Sequence, residues 1–162
     1  MGSINLWKQI VKSDILIIEN KDNYQKQTLR NRTSIHGANG KLLLSIPIKH
    51  LGKIGQQSYD CVQIDNTSNW QRQHWKSLQN SYCSSPYFEF YETEISFMYK
   101  KKFNSLYEFN FTFFKLLLEI IDFKPKIKHK INNQLQPQIL DIRNQINKNI
   151  KDNVYSLHYR QV

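Results

Sequence analysis

Cysteine is scarce: Cys61 and Cys83 are the only two in a chain of 162 residues. Two thiols cannot build a disulfide scaffold, and neither stands in a CxxC or Cys/His spacing suited to zinc, so both are expected to be reduced. Long apolar runs are also missing. The longest, Ile15–Ile18 and Leu116–Leu118 with Ile120 and Ile121, fall far short of the roughly 20 residues that span a bilayer. Around Lys8 and Lys12 the N-terminus lacks the apolar stretch and small-residue cleavage site of a secretion signal, so a cytoplasmic location is expected. No glycine-rich phosphate loop, GxSxG elbow, HExxH pair or dinucleotide fingerprint occurs, which removes most of the case for those enzyme classes.

Acidic residues are in short supply, 13 against 23 Lys and Arg, for a formal charge of +10. Such a balance attracts phosphates, nucleic acid or anionic surfaces. The positive charge is dispersed, however, and the chain is rich in Lys, Asn and Ile throughout, as AT-biased coding produces. A basic nucleic-acid-binding module is therefore the second reading of this chain, without a nucleic-acid motif to support it.

What is present suffices for one core, with 40% hydrophobic and 13% aromatic residues in a length usual for a single domain. Ile4, Trp7, Ile10 and Val11 recur at helical spacing, and Ile15–Ile18 reads as a buried strand. Thr28–His36 and Lys41–Ile48 alternate as the two strands of a hairpin around Ala38-Asn39-Gly40, a turn able to take positive φ. Leu51–Ser58 reads as a loop and Tyr59–Ile64 as another strand. Asp65–Ser68 offers N-caps for a helix over Asn69–Cys83, stopped by Ser84-Ser85-Pro86. Glu92–Lys102 and Ser105–Phe123 are two further predicted helices, with Asn104 as a cap between them and a broad apolar stripe on the second. Beyond Pro125 the chain turns basic and polar, consistent with a loop, an extended excursion or partial disorder. The expected class is mixed α+β: an N-terminal helix, a small sheet with a β-hairpin, then several packed helices. The expected division is a core over 1–124 and an extension of the same domain over 125–162.

The chemistry-bearing residues fall in two segments. A strand over Thr28–His36 would put Arg30, Arg32, Ser34 and His36 on one face. Two guanidinium forks so arranged suit phosphate or carboxylate, although a solvated basic hairpin face gives the same pattern. Trp70 and His74 stand four apart on the predicted helix and can meet on one face. An imidazole there could move a proton and an indole could stack on a sugar or base, against the alternative of a structural histidine. Cys83, at a helix C-terminus, is a poor nucleophile, and Cys61 is expected in core packing. No metal-ligand set is read, and the residues leave the cofactor open.

Asp22–Arg32, Gly37–Gly40 and Leu44–Ile48 resemble the central signature of the WbqC-like family. Asn69-Trp-Gln-Arg-Gln-His-Trp75, then Tyr82 and Ser85–Tyr91, resemble its second signature, and Leu106-Tyr-Glu-Phe-Asn110 its Leu/Phe-Asp-Leu/Phe-Asn step. Order and spacing agree over roughly Gly2 to Asp122, and several separated motifs make the resemblance specific. The family is met in surface-polysaccharide and O-antigen gene clusters, which implies a part in making or modifying an activated sugar. Gln25, Arg30, Asn31, Arg32, Trp70, His74, Trp75, Tyr82 and Pro86 are its motif positions here. Two departures stand out: the Pro- and Tyr-containing motif before the first helix is missing, and Tyr155–Val162 resembles a segment that continues further in other members.

The resulting expectation is a protein that binds a phosphorylated or nucleotide-linked sugar. Arg30 and Arg32 would hold the anion, Gln25 and Asn31 would orient hydroxyl or amide groups, His74 would transfer a proton, and Trp70 would stack on the sugar ring. Trp75, Tyr82 and Pro86 would hold the helix in place. A non-catalytic partner of a glycosyltransferase, using the Phe-rich helix or the basic tail as its interface, is the third reading.

Overall fold

The computed structural model describes residues 4–49 and 57–129. Its elements are α1 (Ile4–Val11), β1 (Ile15–Ile18), β2 (Arg32–Gly37), β3 (Gly40–Ser45), α2 (Trp70–Tyr82), α3 (Phe88–Lys100), α4 (Leu106–Ile120) and β4 (Lys126–His129). The mixed α+β expectation holds: a short first helix, small sheets with a hairpin, then packed helices.

The hairpin forms where its turn chemistry asks for it. Gly40 takes φ +101°, open to glycine and costly to other residues, and β2 and β3 pair antiparallel from Arg32↔Ser45 to Gly37↔Gly40. The first strand is shorter than predicted. Thr28–Asn31 fold as a turn: Gln27 takes φ +61°, the Thr28 hydroxyl donates to the Gln25 carbonyl, and the Asn31 and Arg32 amides donate to the Thr28 carbonyl. Local side-chain bonding of this kind competes with strand pairing. Arg30 therefore leaves the strand face, on which only Arg32, Ser34 and His36 remain.

Three other expectations shift. Tyr59–Ile64 is not a strand: Tyr59–Cys61 make one 3₁₀ turn, and Gln63 and Ile64 form isolated bridges to Ser105 and Ile48. The Asp60 and Tyr59 amides donate to the Asn20 and Asp22 carbonyls, and the Ser58 hydroxyl to the Asp60 carboxylate, which curls the chain. Cys61 is consequently exposed, not packed in the core. α3 begins at Phe88, four residues ahead of the predicted Glu92. α4 is capped by Ser105, whose hydroxyl accepts from the Glu108 amide, and not by Asn104.

β1 pairs in parallel with β4, from Ile15↔Lys126 to Ile18↔His129. The predicted buried strand is thus one of two strands with an open face, and Ile15 and Ile17 stand 47% and 41% exposed. Lys126–His129, at the start of the expected extension, is the strand β4. The remaining expectations for the tail lie outside the described residues. So does most of the predicted 51–58 loop.

The core lies where α2, α3 and α4 meet the inner side of the hairpin. Trp70 and Leu78 from α2, Met98 and Tyr99 from α3, and Leu106 and Phe109 from α4 are all buried in it. The rings meet mostly edge to face, Trp70 on Phe109 at 5.5 Å and Phe103 on Phe109 at 5.3 Å between centroids. Ile46, at the end of the hairpin, closes this cluster from the sheet side.

Candidate functional site

The turn before β2 is tied down by Arg30. Its Nη1 donates to the Asn23 carbonyl at 2.6 Å, its Nη2 pairs with the Asp22 carboxylate, and its guanidinium lies 5.3 Å from the Tyr59 ring centroid. With 8% exposure, Arg30 is a buried strut whose charge Asp22 already compensates. The Arg30 carbonyl is held as well: the Asn110 amide on α4 donates to it at 2.6 Å and to the Tyr59 hydroxyl at 2.7 Å. Burial pushes the Tyr59 phenol up to about 12, against the pull of the Asn110 hydrogen bond and Arg30.

Asn31 continues the hairpin ladder by one step. The Ile46 amide donates to its carbonyl at 2.8 Å, and its own Nδ2 donates to the Ile46 carbonyl at 3.2 Å. That second bond sets the amide's orientation, because a carbonyl can be served only by the nitrogen. The acceptor Oδ1 is left buried without a hydrogen-bond partner among the described residues, and so is the donor Nε of Arg32 beside it. The Tyr24 hydroxyl is a third such atom. Burial raises the Tyr24 phenol's pKa while Arg30 and Arg32 pull it down, so Tyr24 lies within electrostatic reach of both guanidiniums.

His74 comes to the same place from α2. Its Nε2 is 3.1 Å from the Ser45 carbonyl, so Nε2 carries the proton and Nδ1 is the ring's remaining basic position. Burial lowers its pKa, with the Ser45 carbonyl working against the shift. Arg30, Asn31, Arg32, His74 and Asn110 line one crevice with about 20 Å³ of free space, enough for one water-sized group. Apolar neighbours including Leu44, Tyr99 and Phe109 complete its wall.

The expected site residues therefore divide. Arg30, Asn31, Arg32 and His74 converge, as the two motif segments would require. Gln25 stands exposed in the preceding turn and does not line the crevice. Trp70 does not offer a stacking surface: it is 2% exposed, its indole N–H donates to Asn66, and Phe109 and His74 pack edge to face on it. Trp75 stacks on Phe88 and Tyr99, and the Tyr82 hydroxyl accepts from the His36 amide at 3.4 Å, so both anchor α2 as expected. Pro86 is exposed beyond the helix end.

The model of the WbqC-like protein family matches residues 3–158, nearly the whole chain. The chain belongs to the WbqC-like protein family. A search of curated proteins and a search of solved structures each gave no match.

Within this WbqC-like fold, the separated signatures meet at one point: the Asp22–Arg32 segment, the Asn69–Trp75 helix and the Leu106–Asn110 step each send a polar side chain to the crevice or its wall. Reading residues one segment at a time missed one member of this lining, Asn110. Asn110 is a polar residue inside the apolar stripe of α4, an anomaly that signals a buried partner. No cluster of His, Cys, Asp and Glu among the described residues could hold a metal ion. Nor is any described helix long and apolar enough to cross a membrane.

Proposed function

We propose that this WbqC-like protein serves surface-polysaccharide assembly by binding a phosphorylated or nucleotide-linked sugar at the hairpin crevice. The observation that carries the reading is the convergence of three separated family signatures on one crevice, where Asn31, Arg32, His74 and Asn110 stand among apolar neighbours. Two of its lining residues, Asn31 and Arg32, each carry a buried polar atom without a hydrogen-bond partner among the described residues, a rare condition in folded proteins. Arg32 supplies the positive charge for the phosphate, since Arg30 is compensated by Asp22. His74, neutral and with Nε2 engaged, acts through Nδ1 as a proton acceptor if the bound sugar is turned over.

The test is a thermal-shift screen of the whole chain against nucleotide-sugars, free nucleotides, inorganic phosphate and short single-stranded RNA, at low and high salt. A ligand that favours the native state raises the melting temperature, by the equivalent of about 2.7 kcal/mol at a hundred times its Kd. Stabilisation by a nucleotide-sugar that Arg32→Ala abolishes is the expected result. Stabilisation by RNA alone, vanishing with salt, would replace this reading with the nucleic-acid one.

A further inference from the structure

One side of the domain mixes exposed aliphatic side chains with lysines. α4 turns Phe109 and Phe113 into the core, and its opposite flank carries Phe111 and Phe114, neighbours at a spacing of three. Trp7 of α1 packs on Phe114 at 5.5 Å, and His129 of β4 rests on Phe111 at 5.4 Å between centroids. α1 and the β1–β4 sheet therefore cover the same flank of α4, and the sides they turn away from it both look out of the domain. The register fixes what the sheet holds there. Ile15 pairs with Lys126 and Ile17 with Lys128, and partners in register share a face, opposite the one that His129 sets against α4. All four side chains of that outer face are exposed. On α1, Ile10 is buried, while Lys8 and Lys12 stand one turn apart and exposed, with Ile4 and Val11 exposed beside them. Across Ile4–Ile18 and Asp122–His129 there are five lysines and two aspartates, and Asp122 is already paired with Lys124.

We propose that this face docks the protein on an anionic phospholipid surface, independently of what the hairpin crevice binds. The lysine ammoniums lie among the lipid phosphates, their stems spread along the apolar side chains, and the isoleucines enter the boundary between headgroups and acyl chains. Nucleic acid fits this face less well, because a phosphate backbone offers exposed isoleucines no apolar phase to enter. The aromatic outer side of α3 fits an anionic surface less well too: Phe90 and Phe97 are exposed there together with Glu89 and Glu94, which such a surface repels.

The test is flotation of the whole chain with vesicles of phosphatidylcholine, alone or with about one-third phosphatidylglycerol, at low salt and at about 1 M, where the Debye length shrinks to about 3 Å. At low salt the anionic vesicles should bind the protein at least tenfold more tightly than the neutral ones. Lys126→Glu with Lys128→Glu should weaken that binding at least tenfold. Ile15→Thr with Ile17→Thr, which keeps β-branched residues in the strand, should weaken it at least threefold. Phe90→Ser with Phe97→Ser, on the other exposed apolar side, should leave it within twofold. Melting followed by circular dichroism shows which variants fold. If the strand variants do not, Lys8→Glu with Lys12→Glu reverses charge on the same face from α1 and carries the same expectation. No binding to anionic vesicles, equal binding to neutral ones, or binding that a folded lysine variant retains would overturn the proposal. So would binding that the threonine variant retains in full; if short single-stranded RNA then binds with the same salt dependence, the attraction is that of net charge alone.

Discussion

The Asn110 amide is the joint that holds the site together, and its removal has a calculable cost. One nitrogen donates both its hydrogens, to the Arg30 carbonyl 80 positions earlier and to the Tyr59 hydroxyl 51 positions earlier. In Asn110→Leu, which keeps the side chain's approximate shape, both bonds vanish and the Arg30 carbonyl is left without its donor. Two hydrogen bonds of about 1 kcal/mol each, together with the penalty for a poorly solvated carbonyl, give a loss of about 2–4 kcal/mol. For a domain of this size the melting temperature should fall by roughly 5–15 °C. Urea denaturation followed by circular dichroism measures the loss directly. A double-mutant cycle with Tyr59→Phe isolates the shared bond and should give a coupling of about 0.5–1.5 kcal/mol. A loss under about 0.5 kcal/mol for Asn110→Leu, the range of an ordinary surface change, would refute the assignment of Asn110 as the joint. Strict additivity in the cycle would refute its bond to Tyr59.

Three more outcomes follow from the geometry. Arg30→Lys should cost about 1–3 kcal/mol in the same denaturation assay, because an ammonium lacks the planar fork whose two nitrogens reach the Asp22 carboxylate and the Asn23 carbonyl separately; Arg32→Lys should cost under about 1 kcal/mol. Trp70→Ala should cost about 3–5 kcal/mol, the loss of a core aromatic and not of a surface platform. For His74, burial lowers the folded-state pKa, so the unfolded chain binds the proton more readily. Its stabilising contribution is present above the ordinary imidazole value of about 6.5 and declines as the pH falls from there toward the folded pKa. Unfolding free energies measured from pH 7.5 down to 5 should therefore fall on the acid side, and His74→Gln should flatten that fall.

Much of the architecture is local in origin and was legible before any coordinates. The Asn39-Gly40 turn calls for a hairpin, and the apolar spacing of Trp75, Leu78 and Tyr82 calls for α2. The run from Leu106 to Ile120 is apolar enough on one side to demand a packed helix, and α4 is that helix. α3 was harder to bound: Phe90 and Phe97 stand 66% and 62% exposed, so apolar residues occupy its outer face and blur the periodicity on which a helix start depends. The parallel pairing of β1 with β4 joins opposite ends of the described chain, and no local window contains both strands.

The site divides along the same line. Sequence by itself determined which segments carry the family signatures, because their polar residues stand out against their surroundings and resemble a known family in order and spacing. It could not decide what Arg30 and Arg32 each do. A two-residue alternation treats them alike, yet Asp22, Asn23 and Tyr59 surround the first while the Nε of the second has no partner among the described residues. Likewise Trp70 and Trp75 both read as aromatic residues on a helix, and only the packing of Phe109 and His74 against Trp70 made it core. The reason is physical: backbone conformation and apolar period are set by neighbours along the chain. Whether a polar side chain is satisfied depends on atoms a few ångströms away that arrive from distant elements, and the tertiary structure alone brings them there.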